Sequence, residues 1–148
     1  MIVDPRTVET LDLFGPTIAF LTAPEDGVPC VMRGTVPAGG VVPLHSHADP
    51  ETFIGLSGSI EGLAGDAGWT RFGPGDVFHV PGGARHAFRN RASEPAVMVI
   101  VSTATIGRFF REVSGPPTPE AIQHFLDVSE RYGYWNATPE ESAAAGAT

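Results

Sequence analysis

Two stretches of this 148-residue chain constrain its fold more than anything else in it: Gly39-x5-His45-x-His47-x3-Glu51-x6-Gly58, and Gly75-x5-Pro81-x-Gly83-x2-His86-x3-Asn90. His45 and His47 are two apart, so on an extended strand both rings leave one face. Glu51 keeps their parity if the chain stays extended past Asp49-Pro50. His86 has to arrive from a second strand. Three imidazoles and one carboxylate suit divalent iron, nickel, manganese, cobalt, copper or zinc. On an ion that accepts five or six donors, such a set leaves positions open for substrate or oxygen.

The surrounding pattern agrees with sheet. Short apolar runs punctuated by Gly and Pro dominate from residue 16 to about 113. Candidate strands are 17–22, 29–37, 41–47, 51–57, 59–64, 69–73, 76–80, 86–91 and 96–103, each bounded by turn chemistry. That number suits a closed two-sheet barrel. Gly65-Asp66-Ala67-Gly68 joins two of the runs as an exposed hairpin loop.

After residue 115 the period changes. Thr118 is the expected cap of a helix over 118–132, with Pro119 in its first position and Glu120 in its first turn. Ile122, Phe125, Leu126 and Ser129 recur at helical spacing, Tyr132 extends that face, and Gly133 ends it. The stripe is expected to pack on the outside of the barrel. Residues 138–148 are Ala-rich and acidic, which predicts a short frayed helix or disorder. The whole of 1–148 is expected to be one domain.

Charge narrows the partners. The formal net charge is −8 and all nine cations are Arg. An acidic chain without a basic run has no electrostatic reason to bind nucleic acid or an anionic membrane. The start lacks the basic segment and apolar run of a secretory signal, and no run of about eighteen apolar residues exists, so a cytoplasmic protein is expected. The single cysteine, Cys30, is expected to be a small core hydrophobe.

The two stretches resemble the paired motifs of the cupin superfamily, with all fixed positions filled, over roughly residues 30 to 103. The resemblance implies an all-β fold, a jelly-roll β-barrel with a C-terminal helix, and His45, His47, Glu51 and His86 as ligands of a divalent transition metal. It does not imply one reaction, because this fold carries many chemistries. The small flavonoid-cleaving cupins make a dioxygenase for a small oxygenated, aromatic or enolic substrate the leading expectation. A non-redox isomerase, lyase or decarboxylase is the second, and a metal-containing binding protein without turnover the third. The family's habit of pairing barrels, with Ile54 and Leu56 on an outer face, implies a homodimer.

Strand parity extends the site. Phe53, Gly55 and Ser57 follow Glu51 inward, and Phe88 and Asn90 share the face of His86. That predicts a mouth walled by two phenylalanines, with Gly55 leaving space and Ser57 offering a hydroxyl. The same apolar walls would raise the pKa of Glu51 and favour its use as a base. Asn90 reads as a backbone-bonding turn residue. His79 and Arg33 are candidates for a supporting shell, against a plain surface role for each. His124 reads as solvated, and Trp69 and Trp135 as core or interface anchors.

Overall fold

The structure is a computed structural model that describes residues 1–148. The strands are β1 (Thr10–Asp12), β2 (Thr17–Phe20), β3 (Cys30–Val36), β4 (Val41–Ser46), β5 (Glu51–Ser57) and β6 (Ile60–Ala64). They continue with β7 (Trp69–Phe72), β8 (Val77–Val80), β9 (His86–Arg89), β10 (Ala96–Ser102) and β11 (Trp135–Asn136). Three helices follow the sheet region: α1 (Ala104–Val113), α2 (Pro119–Tyr132) and α3 (Pro139–Ala144).

Two antiparallel sheets face each other. One has the order β1-β2-β3-β10-β5-β8, the other β11-β4-β9-β6-β7. No ladder joins them, so the jelly roll is a two-layer sandwich whose terminal strands β8 and β7 meet across the turn at Gly73–Asp76. Alternation sets the layers: Cys30, Met32, Gly34 and Val36 of β3 are buried while the residues between them are half-buried, and β10 repeats the pattern. The inner faces meet in a core built on Met32, Phe53, Ile60, Phe72, Val80, Phe88, Met98 and Ile100. Each such side chain contributes roughly 1.5–3 kcal/mol by leaving water.

All nine candidate strands form, with ends shifted by at most two residues. The sheet region stops at Ser102 rather than near 113, because Ala104–Val113 is a helix. Thr103 caps it, its hydroxyl accepting from the Ile106 N–H at 3.2 Å. Ile106, Phe109 and Val113 then bury one face. Gly107 lets this helix close on β3, since a Cβ there would sit 2.9 Å from both Cys30 Sγ and Pro24 Cγ. Cys30 is fully buried in that contact.

The helix expected over 118–132 runs Pro119–Tyr132, capped by the Thr118 hydroxyl and ended by Gly133 in the left-handed conformation. Its buried face differs from the expected stripe. Ile122 and Leu126 are exposed at 48% and 44%, while Val128 and Ser129 are buried and Phe125 and Tyr132 pack against the core. The face is rotated because α2 packs chiefly on α1 and, on the sheets, against the short edge strand β11. The C-terminal residues are also more ordered than expected. Thr138 and Glu141 form a capping box for α3, Ser142 and Ala147 are buried, and the Trp69 indole donates to Ala145 O at 2.8 Å. No helix is long and apolar enough to cross a membrane.

Candidate metal centre

The sandwich brings His45, His47, Glu51 and His86 together at one end. Strands β4 and β9 pair with His45 opposite His86, and β5 of the facing sheet begins at Glu51. Ring centroids lie 4.1 Å apart for His45 and His86, 4.9 Å for His47 and His86, and 5.5 Å for His45 and His47. One donor atom from each of the four residues lies within 4.8 Å of all the others. His47, Glu51 and His86 are 5%, 4% and 0% exposed, and His45 is half-buried.

Backbone carbonyls orient each ring. His45 Nδ1 donates to Pro43 O at 2.7 Å, His47 Nδ1 to Asp49 O at 2.8 Å, and His86 Nδ1 to Ala84 O at 2.9 Å. A carbonyl can only accept, so Nδ1 must carry the proton and the neutral ring turns a bare Nε2 to the centre. Glu51 Oε2 lies 3.2 Å from His86 Nε2 and 3.4 Å from His47 Nε2. Acceptors buried this close need a shared proton or cation between them. The donor set therefore fits a divalent transition ion, with each imidazole held as ligating histidines usually are.

Electrostatics follow the geometry. Burial alone would raise the Glu51 carboxyl, but the bonds to His47 and His86 outweigh it and hold the pKa at about 2. The raised value expected from Phe53 and Phe88 is thus overturned: the ring nitrogens of His47 and His86 lie against the carboxylate, at 3.4 and 3.2 Å from Oε2. Burial, reinforced by His86, lowers His45 to about 3, so it is neutral and ready to coordinate. His47 moves upward, because Glu51 more than offsets its burial.

A support lies behind His47. Asp49, whose carbonyl holds the ring, accepts from the Tyr134 hydroxyl at 2.6 Å and from the Thr103 hydroxyl. The Tyr134 ring also packs 5.2 Å from that of His47 and 4.8 Å from Phe109. Burial first, then the Asp49 carboxylate, pushes the Tyr134 phenol well up, so it stays a donor. Asp49, Thr103 and Tyr134 had no role in the sequence reading. Asp49 could have been noticed between two candidate ligands, whereas nothing local marks Tyr134.

The expected pocket residues divide differently. Phe53 and Phe88 are buried with centroids 4.6 Å apart, and Phe88 lies 6.2 Å from His86, so they are core beneath the centre rather than walls of a mouth. Gly55 leaves no room for substrate, because a Cβ there would meet Gly73 O at 2.0 Å. Ser57 is exposed: a register shift against β10 between Val97 and Met98 breaks the parity that would have turned it inward. Its crevice with Gly55 has essentially no volume. His79 is exposed, bonded through Nδ1 to the Thr52 hydroxyl at 3.0 Å, and Arg33 lies on the half-buried outer face of β3. Neither belongs to the centre. Asn90 is buried and bonds backbone only, as expected. His124 is exposed and bonds Glu112 O, and Trp69 and Trp135 lie under Arg89 and Arg85.

The cupin-domain family model matches residues 32–102, the span that contains both motifs and all four clustered residues. No curated protein sequence matches the chain. Among solved structures, it resembles the polyketide cyclase RemF from Streptomyces resistomycificus at 20% identity. That match covers 70% of this chain and 79% of RemF, with a TM-score of 0.63. A sugar phosphate isomerase of the cupin superfamily from Silicibacter pomeroyi matches at 20% identity over 70% of this chain and 75% of that one, TM-score 0.59. A predicted oxalate decarboxylase from Thermotoga maritima matches at 21% identity over 70% of this chain and 98% of that one, TM-score 0.60. Residues 32–102 thus form a cupin domain, and the two-sheet architecture around them is the cupin fold.

Proposed function

We propose that this cupin is a metal-dependent enzyme acting on a small oxygenated molecule of aromatic or enolic type, and that its reaction is a dioxygenation. The observation that carries the metal is the convergence of three bare Nε2 atoms and one anionic carboxylate inside a nearly closed site. When bound, a divalent transition ion supplies Lewis acidity at a substrate oxygen and, where redox-active, electron transfer with dioxygen. The chain's own groups do the rest. The carbonyls of Pro43, Ala84 and Asp49 hold the imidazoles, Glu51 supplies the negative charge, and Phe53 and Phe88 keep water from the inner side.

Protein purified without added metal or chelator is expected to contain about one transition ion per chain, and His47→Ala to lose it while staying folded. Equal metal content in that variant and the parent would remove His47 from the ligand set. Oxygen uptake with enol and catechol compounds then tests the reaction. Turnover that persists with zinc and without air would replace dioxygenation by the isomerase, lyase or decarboxylase class. Ligand binding without turnover on any metal would leave a binding protein.

We also propose a homodimer. Val31, Ile54, Leu56, Val97, Val99 and Val101 share the outer face of the six-stranded sheet, and the helices pack elsewhere. Arg33 and, on the edge strand β1, Asp12 are the charged residues on that face. Light scattering that gave the mass of one chain across a wide concentration range would exclude the dimer.

A further inference from the structure

The inner face of the sandwich is open to solvent at the seam between the free edges of β7 and β8. Thr70 shares the inward parity of Phe72, which is buried, yet Thr70 is exposed. Phe78 comes in from β8 and stacks on Phe72 with centroids 5.0 Å apart and planes 12° apart. It has room only because Gly62 opposite has no side chain: a Cβ there would lie 2.7 Å from the Phe78 ring. Phe78 and Thr70, the hairpin at 64–68 with Ala67, and Pro81 and Ala84 line an open cavity of about 290 Å³.

This cavity adjoins the proposed metal centre. Ala64 is the register partner of His86, and the Ala84 carbonyl is the acceptor that holds His86 Nδ1. One alanine therefore separates the cavity from a proposed ligand. We propose that the seam cavity is the substrate subsite, and that it selects a compact molecule without net charge that lays an apolar face on Phe78. The proposal rests on the enzyme reading above and names its substrate class.

Size and charge carry the selection. At ~30 Å³ for each water of the liquid, the space suits a ligand on the order of ten non-hydrogen atoms. No Arg, Asp or Glu lines it, and the inward side-chain polar group is the Thr70 hydroxyl, since His79 turns its ring to Thr52 on the outer face. A phosphate or dicarboxylate entering here would lose hydration with no cation to replace it. An aromatic ring with one or two oxygens would lose little and would cover Phe78.

The test uses catechol, oxalate and inorganic phosphate as probes. Ligand-observed NMR on metal-free protein reads the cavity, and cobalt stoichiometry read separately reports the metal centre. Catechol is expected to bind, with oxalate and phosphate at least tenfold weaker. Thr70→Trp and Ala67→Trp, which fill the seam from two directions away from His86, are each expected to weaken catechol at least tenfold with cobalt loading unchanged. Catechol affinity within twofold of the parent in both variants would overturn the subsite. So would tighter binding of oxalate or phosphate than of catechol. Failure to load cobalt would instead sink the metal reading, and the catechol result on metal-free protein would still decide the cavity.

Discussion

The two ends of the sandwich divide the motif residues between them. His45, His47, Glu51, Pro81, Gly83 and His86 all lie at the end capped by α1, where Gly83 N–H donates to His47 O at 2.7 Å. Gly39, Gly58, Gly75 and Asn90 lie at the other end: Gly39 N–H donates to Asn90 O at 2.8 Å and Gly75 N–H to Gly55 O at 3.0 Å. One end places four acceptors where a cation fits, at a cost in buried polarity. The other closes the sheets by backbone contacts so tight that side chains are excluded. A single linear pattern therefore encodes a chemical end and a mechanical end, and substitutions at the two should fail differently.

The largest effect is expected at the chemical end. His86→Ala removes a fully buried donor and should lower metal affinity by roughly 10³-fold, while far-ultraviolet circular dichroism of the metal-free protein stays that of the parent. A variant that unfolded would show that the centre is also a structural staple, and the division between the ends would not hold.

Gly55→Ala tests the mechanical end. Its Cβ would meet backbone, Gly73 O at 2.0 Å, and backbone cannot rotate away as a side chain can. We expect a loss of about 3 kcal/mol in chemical denaturation, with metal per folded chain unchanged. Asn90→Ala should cost about 2 kcal/mol, because it strips Val36 O and Glu94 O of a donor and Ala92 N–H of its acceptor. Loss of metal from the folded fraction of either variant would break the comparison.

Acid should separate the ends in the metal-free protein. His45 titrates at about 3 folded against 6.5 unfolded, so between those values the unfolded chain holds the extra proton and stability falls as pH drops. Glu51, at about 2 against 4.5, adds stability that is complete above 4.5 and is lost as pH falls through 2. His47 opposes them: its raised value favours the fold below 6.5, and that gain fades as pH rises through the folded pKa. Denaturation midpoints should fall from pH 6.5 towards 3, with a flatter slope in His45→Ala. Gly55→Ala should lower the whole curve and keep the parent slope.

Legibility followed the same boundary between local and remote causes. The strands and the cap and stop of α2 were visible because turn residues and Thr118, Pro119 and Gly133 act on their own neighbours. Convergence of the four donors was visible because two spacings and one resemblance carry it. Parity failed at Ser57, where a register shift set by pairing with β10 intervenes. Parity along β5 also carries no information on the seam between β7 and β8, where the proposed subsite lies. α1 was hidden because Ala104-Thr105-Ile106-Gly107 carries β-branched residues and a glycine whose reason, contact with Cys30 and Pro24, is tertiary. α2 turned Val128 inward because its partner is α1, which had not been recognised.

The smallest effect is expected where the remote part of the chain meets the chemical end. Residue Tyr134 precedes β11, which pairs Asn136 with His45 on β4, so the C-terminal segment lies against the strand that carries His45. Its hydroxyl bonds Asp49, and the Asp49 carbonyl in turn fixes the His47 ring. Tyr134→Phe keeps the ring that packs on His47 and deletes one bond to a charged acceptor, leaving Asp49 with Thr103. The loss should be about 1–2 kcal/mol of stability. If Tyr134 positions His47 through Asp49, metal affinity should also fall, by about tenfold, and Asp49→Asn, which keeps the backbone acceptor but weakens both hydroxyl bonds, should show the same loss. A purely structural role would lower stability in both variants and leave the metal titration of the folded protein where the parent's lies.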